Sequence, residues 1–145
     1  MASVNTYLNF PGTTEEAFNF YRSVFGGDFN GPIHRMGDAP PMPGQPPLSD
    51  TDKQRVMHVE LPILGGHLLM GTDATESMGF QLVAGNNVHI SLQTDTRAQT
   101  DQLFNALAAG GNVQMPLQDM FWGAYYGSLR DRFGVQWMLN CESKG

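Results

Sequence analysis

The sequence predicts an α+β fold made of two copies of a βαβββ module. Three observations carry that reading. Shifting the chain by 84 positions superimposes two strand–helix–Gly-Gly–strand segments without a gap, Val4, Leu8, Phe20, Val24, Gly26 and Gly27 falling on Val88, Leu92, Phe104, Ala108, Gly110 and Gly111. The back halves repeat with an offset of 68, each as a hairpin, Val56 to Asp73 and Ala124 to Cys141. The strands also alternate between an apolar and a polar face, as strands wetted on one side do. Module one is expected over 1–80 and module two over 84–145, together one domain spanning 1–145.

Taken in order, the first strand runs from Val4 to Phe10. Val4, Leu8 and Phe10 share one face, and Asn5, Tyr7 and Asn9 the other. Thr13-Thr14-Glu15-Glu16 reads as a capping box that opens a helix. Ala17, Phe20, Tyr21, Val24 and Phe25 keep helical spacing, and Gly26-Gly27 ends the helix. Residues 36–53 form an insert that the second module lacks, too rich in Pro for a helix or a central strand (Ala39-Pro40-Pro41-Met42-Pro43-Gly44). Such a loop is either a lid or a passive insert. In the hairpin that follows, Met57, Val59 and Leu61 pack while His58 and Glu60 oppose them, and Gly65-Gly66 makes the turn. Module two sets Val88, Ile90 and Leu92 against His89, Ser91 and Gln93. Its helix starts near Thr96, with Gln99 three residues on, and buries Leu103, Phe104, Leu107 and Ala108. In the last strand Val135, Trp137 and Leu139 pack, opposed by Gln136, Met138 and Asn140. Tyr126 and Ser128 stand where module one has His58 and Glu60.

Composition bounds the function. The chain has 145 residues, 41% apolar, enough for a packed core. Its net charge of -6, with two lysines and no basic stripe, disfavours nucleic acid and anionic membrane surfaces. There is no apolar run long enough to span a bilayer and no secretory signal at Met1 to Tyr7. A single cysteine, Cys141, fits a reducing, cytoplasmic setting and reads as a small residue ending the last strand. The polar strand faces carry amides, Tyr, His and Met, and few charged residues. That is the lining of a small-molecule cleft more than of a freely solvated sheet. Phe121-Trp122-Gly123-Ala124-Tyr125-Tyr126 is the densest aromatic run, suited equally to stacking on a planar ligand and to a dimer contact.

Several stretches resemble the vicinal-oxygen-chelate superfamily (glyoxalase, bleomycin-resistance and extradiol dioxygenase proteins), and within it the PhnB-like branch. They are Tyr7-Leu8-Asn9-Phe10 with Glu16-Ala17 and Phe20-Tyr21, Phe25-Gly26-Gly27, Val56-Met57-His58-Val59-Glu60-Leu61, Leu69-Met70-Gly71-Thr72-Asp73 and Ile90-Ser91-Leu92. The most specific is Phe121-Trp122-Gly123 with Asp131-Arg132-Phe133-Gly134-Val135-Gln136-Trp137-Met138. The resemblance implies a cup-shaped mixed sheet with helices on its outer face, commonly completed in a homodimer. Members of the branch sometimes carry a ubiquinone-pathway methyltransferase label, but the chain has no strand, Gly-rich turn and helix arranged for a methyl-donor nucleotide.

Metal-using members hold one divalent ion on four side chains from the first and last strands of each module. Carried over residue by residue, those positions are Asn5, Met70, His89 and Met138. Only His89 suits a first-row divalent ion, because amides are weak donors and thioethers favour soft Cu(I). No metal and no other cofactor is therefore expected. His58 and Glu60 share one face and are the candidates for general acid/base work. The bland reading makes His58 structural and pairs Glu60 with an arginine such as Arg55 or Arg130. His34 and His67 read as surface or turn residues, and Ser91 and Ser128 lack a nucleophile-elbow sequence.

The leading reading is a metal-free protein that binds a small apolar or aromatic molecule in the cup, through Asn5, Tyr7, His58, Glu60, His89, Phe121, Trp122, Tyr126 and Met138. The alternatives are a metal-dependent lyase, isomerase or dioxygenase using His89 with ligands of its own such as His58 and Glu60, and a protein-interaction module with no small ligand. The sequence itself names no reaction.

Overall fold

The computed structural model describes residues 1–40, 43–142 and 144. They fall into two compact units, Met1–Val83 and Ala84–Gly145. Unit 1 contains β1 (Thr6–Phe10), α1 (Thr14–Phe25), β2 (His34–Arg35), α2 (Asp50–Gln54), β3 (Val56–Pro62) and β4 (Leu68–Asp73). Unit 2 contains β5 (Ile90–Gln93), α3 (Arg97–Ala108), β6 (Asn112–Asp119), β7 (Tyr125–Arg130) and β8 (Gln136–Cys141). Each unit forms one four-stranded mixed sheet, ordered β1-β4-β3-β2 and β5-β8-β7-β6. The first strand of each lies parallel to the last, and the hairpins are antiparallel. The fold is α+β, with the two sheets sharing one topology.

Burial follows strand parity. In unit 1, Phe10, Val59, Leu61 and Leu69 are buried with Ala17, Phe18 and Tyr21 of α1. Phe18 lies over Gly71, where an added Cβ would sit 2.5 Å from Cε1 of the ring, so only glycine lets the helix approach this strand so closely. Unit 2 uses the same device on a different strand: Phe104 lies over Gly127, at 2.9 Å from the equivalent position. Leu92, Leu103, Leu107, Leu129, Trp137, Leu139 and Cys141 complete that core. Each buried Leu or Phe contributes about 1.5–3 kcal/mol by leaving water.

Several expectations need correction. Thr13 makes no side-chain cap. Asp73 at the end of β4 does that work, its Oδ1 accepting from Thr14 N at 3.0 Å and Thr14 Oγ1 at 2.6 Å, and its Oδ2 from Val56 N at 2.8 Å. Glu15 instead pairs with Arg35. The second helix is capped as read: Thr96 Oγ1 accepts from Gln99 N, and Gln99 Oε1 from Asp95 N. Val4 and Val88 were expected in the core but are 85% and 71% exposed, because both precede their strands. The insert holds a 3-10 turn at Met36–Asp38 and the short helix α2, started by Ser49 accepting from Asp52 N. Its Pro41 and Met42 lie outside the described residues. Between the pairs His34↔His58 and Arg35↔Val56 the register slips. β3 therefore carries one extra residue, a bulge that buries Val56 and leaves Met57 half-buried.

Candidate functional site

On unit 1, the face of the sheet turned away from α1 is built from neighbouring rows. Tyr7 pairs with Met70, which pairs with Glu60, and Asn9 pairs with Thr72. Strand alternation places Asn5 on this face too, two residues before Tyr7. Glu60 Oε2 lies 2.8 Å from His58 Nε2, and Tyr7 Oη lies 3.0 Å from His58 Nδ1. A carboxylate only accepts, so Nε2 donates to Glu60, and Nδ1 shares the second hydrogen bond with the Tyr7 hydroxyl. The His58 hydrogen bond holds the Glu60 carboxyl below its usual range, against the effect of partial burial and with help from the Asn30 side chain. Burial raises the Tyr7 phenol; the neighbouring Thr72 hydroxyl opposes this and the Glu60 charge adds to it. Glu60 is thus paired with a histidine, not with Arg55, which binds Asp52, nor with Arg130. His34 is exposed on β2 and His67 sits at the end of the β3–β4 turn, as read, with His67 Nε2 meeting Thr6 Oγ1 at 2.8 Å.

Beside this row lies a cavity of about 670 Å³, within the range of small-molecule sites. Asn9, Met57 and Thr72 contribute from the sheet, Met36, Pro46, Pro47 and Leu48 from the insert, and Met78 and Phe80 from the segment after β4. The sequence reading missed this set. Its signal was the insert itself, with Met36 and Leu48 set among prolines and no counterpart in module two. Of the residues expected to line a pocket, none belongs to this wall, although Tyr7 adjoins it through Thr72.

On unit 2 the corresponding face carries Ser91, Met138, Ser128 and Met115 in one row and Gln93, Asn140, Tyr126 and Gln118 in the next. An amide chain fixes its edge. His89 Nε2 meets Gln114 Oε1 at 3.0 Å, Gln114 Nε2 donates to Gln136 Oε1, and Gln136 Nε2 donates to the Val88 carbonyl. Phe121 and Trp122 sit in the β6–β7 turn, closed by Met120 N donating to Ala124 O. They are 96% and 54% exposed, Trp122 packing edge-on against Tyr126 at 6.3 Å.

The side chains at the metal positions do not fit a hard divalent ion. Asn5 Oδ1 already accepts from Leu68 N at 3.0 Å, and Met70 and Met138 offer thioethers. Both ring nitrogens of His58 are engaged, and His89 Nε2 is taken by Gln114. Among the described residues, no three His, Cys, Asp or Glu side chains gather into a metal-holding group.

The sequence matches the model of the Glyoxalase/Bleomycin resistance protein/Dioxygenase superfamily over residues 4–139. Among solved structures it is similar to protein PA1353 from Pseudomonas aeruginosa, with 38% identity, a TM-score of 0.82 and 98% of each chain covered. It is also similar to a PhnB protein from Bacillus cereus, with 26% identity, a TM-score of 0.73, and 97% of this chain and 99% of that one covered. Protein YjdN of Escherichia coli is 28% identical over 94% of this chain and 93% of its own length.

Proposed function

The chain belongs to the glyoxalase/bleomycin resistance protein/dioxygenase superfamily, in its PhnB-like branch, and on that premise we propose that it binds a small, largely apolar or aromatic molecule without a resident metal. The observation that carries this reading is the cavity of unit 1. Its walls are mainly thioether, proline and aromatic carbon, with Gln45, Lys53 and Asp73 among them, and its floor offers Asn9 and Thr72 as polar groups to orient a ligand. Methionines lend such a site adaptable contact. The metal-free part rests on the donor chemistry: the superfamily's ligand positions hold an occupied amide, an engaged imidazole and two thioethers. The aromatic pair Phe121 and Trp122 serves a ligand or a second copy of the chain, and a cytoplasmic homodimer is the working assembly in this reading. No described helix is long and apolar enough to cross a membrane.

The test uses N-phenylnaphthylamine, a neutral dye that brightens in apolar cavities, on the full chain after its metal content has been measured. Binding with no stoichiometric metal is expected. At a hundredfold excess over Kd the dye stabilises the fold by about 2.7 kcal/mol, read as a rise in Tm. Met57→Trp, which fills the cavity, abolishes both signals. A stoichiometric divalent ion, or dye binding unchanged in that variant, refutes the reading.

A further inference from the structure

We propose that the ligand of the unit 1 cavity is an amphiphilic monoanion, an apolar or aromatic body carrying one carboxylate, and that Lys53 on the cavity wall takes the carboxylate. The inference rests on the cavity reading above and adds the ligand's charge to it. Unit 1 has four Lys and Arg side chains, Arg22, Arg35, Lys53 and Arg55. Three are held in ion pairs, Arg22 with Asp28, Arg35 with Glu15 and Arg55 with Asp52. Lys53 is in no ion pair among the described residues, and it is the one that lines the cavity. Its base is fixed there. Lys53 N donates to the Ser49 carbonyl at 3.0 Å, and a Cβ on Gly37 would lie 2.9 Å from Lys53 Cβ, so the insert packs closely around the root of the side chain. Lys53 is exposed beyond that point, so its stem can lie along the apolar wall and carry the ammonium to a ligand.

The other polar groups of the wall sort by what they already hold. Asp73 is 3% exposed, and its two oxygens accept from Thr14 N, Thr14 Oγ1 and Val56 N. Thr14 opens α1, and the positive end of that helix offsets the carboxylate's charge. Thr72 donates its hydroxyl to the Val56 carbonyl and also meets Tyr7. Neither group needs a ligand to complete it. Asn9 and Gln45 make no side-chain hydrogen bond among the described residues, so both amides can donate into the cavity. What the wall leaves unmatched is therefore an ammonium, which only donates, and two amides. A carboxylate only accepts, and it satisfies the ammonium and an amide together. With one cation in the wall and a net charge of -6 on the chain, a single negative charge suits the site better than the two of a phosphate.

Naphthoate and naphthamide share a ring system and a shape, and at neutral pH they differ in charge. Each is titrated against the full chain by displacement of N-phenylnaphthylamine. The wild-type protein is expected to bind naphthoate about three- to fivefold more tightly than naphthamide, the size of a partly exposed ion pair. Lys53→Arg keeps that preference, Lys53→Gln removes it and Lys53→Glu reverses it. All three variants bind naphthamide as the wild type does. Equal binding of the two compounds by the wild type, a preference for the amide, or a naphthoate preference that survives Lys53→Glu overturns the assignment and leaves the cavity standing. Loss of naphthamide binding in Lys53→Gln marks the lysine as part of the wall's packing and overturns its role as the anion's partner. Failure of both compounds to displace the dye from the wild type overturns the assignment and the cavity reading together.

Discussion

Two aspartates do structural work that their surface-loving chemistry does not advertise. Asp131 is 3% exposed; its Oδ1 accepts from Phe133 N and Val135 N, and its Oδ2 accepts from Trp137 Nε1 at 2.8 Å. One carboxylate thereby closes the β7–β8 turn and satisfies the indole N–H of a fully buried tryptophan. The stretch Asp131-Arg132-Phe133-Gly134-Val135-Gln136-Trp137 is distinctive because its first residue holds its last. Asp73 plays the matching part in unit 1, joining the start of α1 to β3. Hydrogen bonds to a charged acceptor are worth about 1.5–3 kcal/mol each, and a stranded buried donor costs about 1–3 kcal/mol. Asp131→Ala is expected to destabilise the protein by about 3 kcal/mol, seen as a lower urea midpoint with an unchanged slope. An effect below about 0.5 kcal/mol, the usual size for a surface change, would show that the clamp is idle.

At the scale of elements, helix and sheet meet ring against glycine. A methyl group on Gly71 would lie 2.5 Å from the Phe18 ring, in a core with no slack. Gly71→Ala is expected to cost about 1–3 kcal/mol in chemical denaturation. Phe18→Leu, which withdraws the ring, should cost less in the Gly71→Ala background than alone, and strict additivity would contradict the contact. Much at this scale was legible in the sequence. Helical spacing in Ala17, Tyr21, Leu103 and Leu107, the paired glycines and the strand alternation all arise from local chemistry. The rest was not, for physical reasons. The cap on α1 comes from Asp73, 59 residues beyond Thr14, so the local Thr-Glu pattern pointed to the wrong partner. The bulge at Met57 shifts parity by one, which buries Val56 and turns Met57 to the cavity. The cavity wall comes from a proline-rich insert whose path no periodicity encodes. The His58–Glu60 pair was readable from i, i+2 spacing on a strand, but Tyr7 joins it only through the intervening β4, which pairs with both strands.

At the scale of the whole molecule, an acidic chain with few cations holds four of its carboxylates with individual partners. Glu15 is lowered mainly by its hydrogen bond to Arg35, Asp52 by Ser77, Glu60 by His58 and Asp119 by Arg97. Each of the four binds protons more weakly folded than unfolded. Their stabilisation is present above the unfolded values of 4.5 for Glu and 3.8 for Asp, and is lost as pH falls through the lower folded values. Two phenols act at the other end. Asp101 raises Tyr125, and burial raises Tyr7, so the folded chain keeps these protons past 10.0, and stability declines as pH rises beyond that value. From these groups the urea midpoint is expected to be level between about pH 5 and 10 and to fall on both sides. The acid limb should soften in high salt, because the pairs are partly exposed and screened. Near the pI of 4.9 the net charge of -6 is gone while the pairs are still formed, so precipitation should precede unfolding on acidification. A midpoint that rises below pH 4 would mean that repulsion among carboxylates outweighs their pairing, and the assignment of these four groups as stabilising would fail.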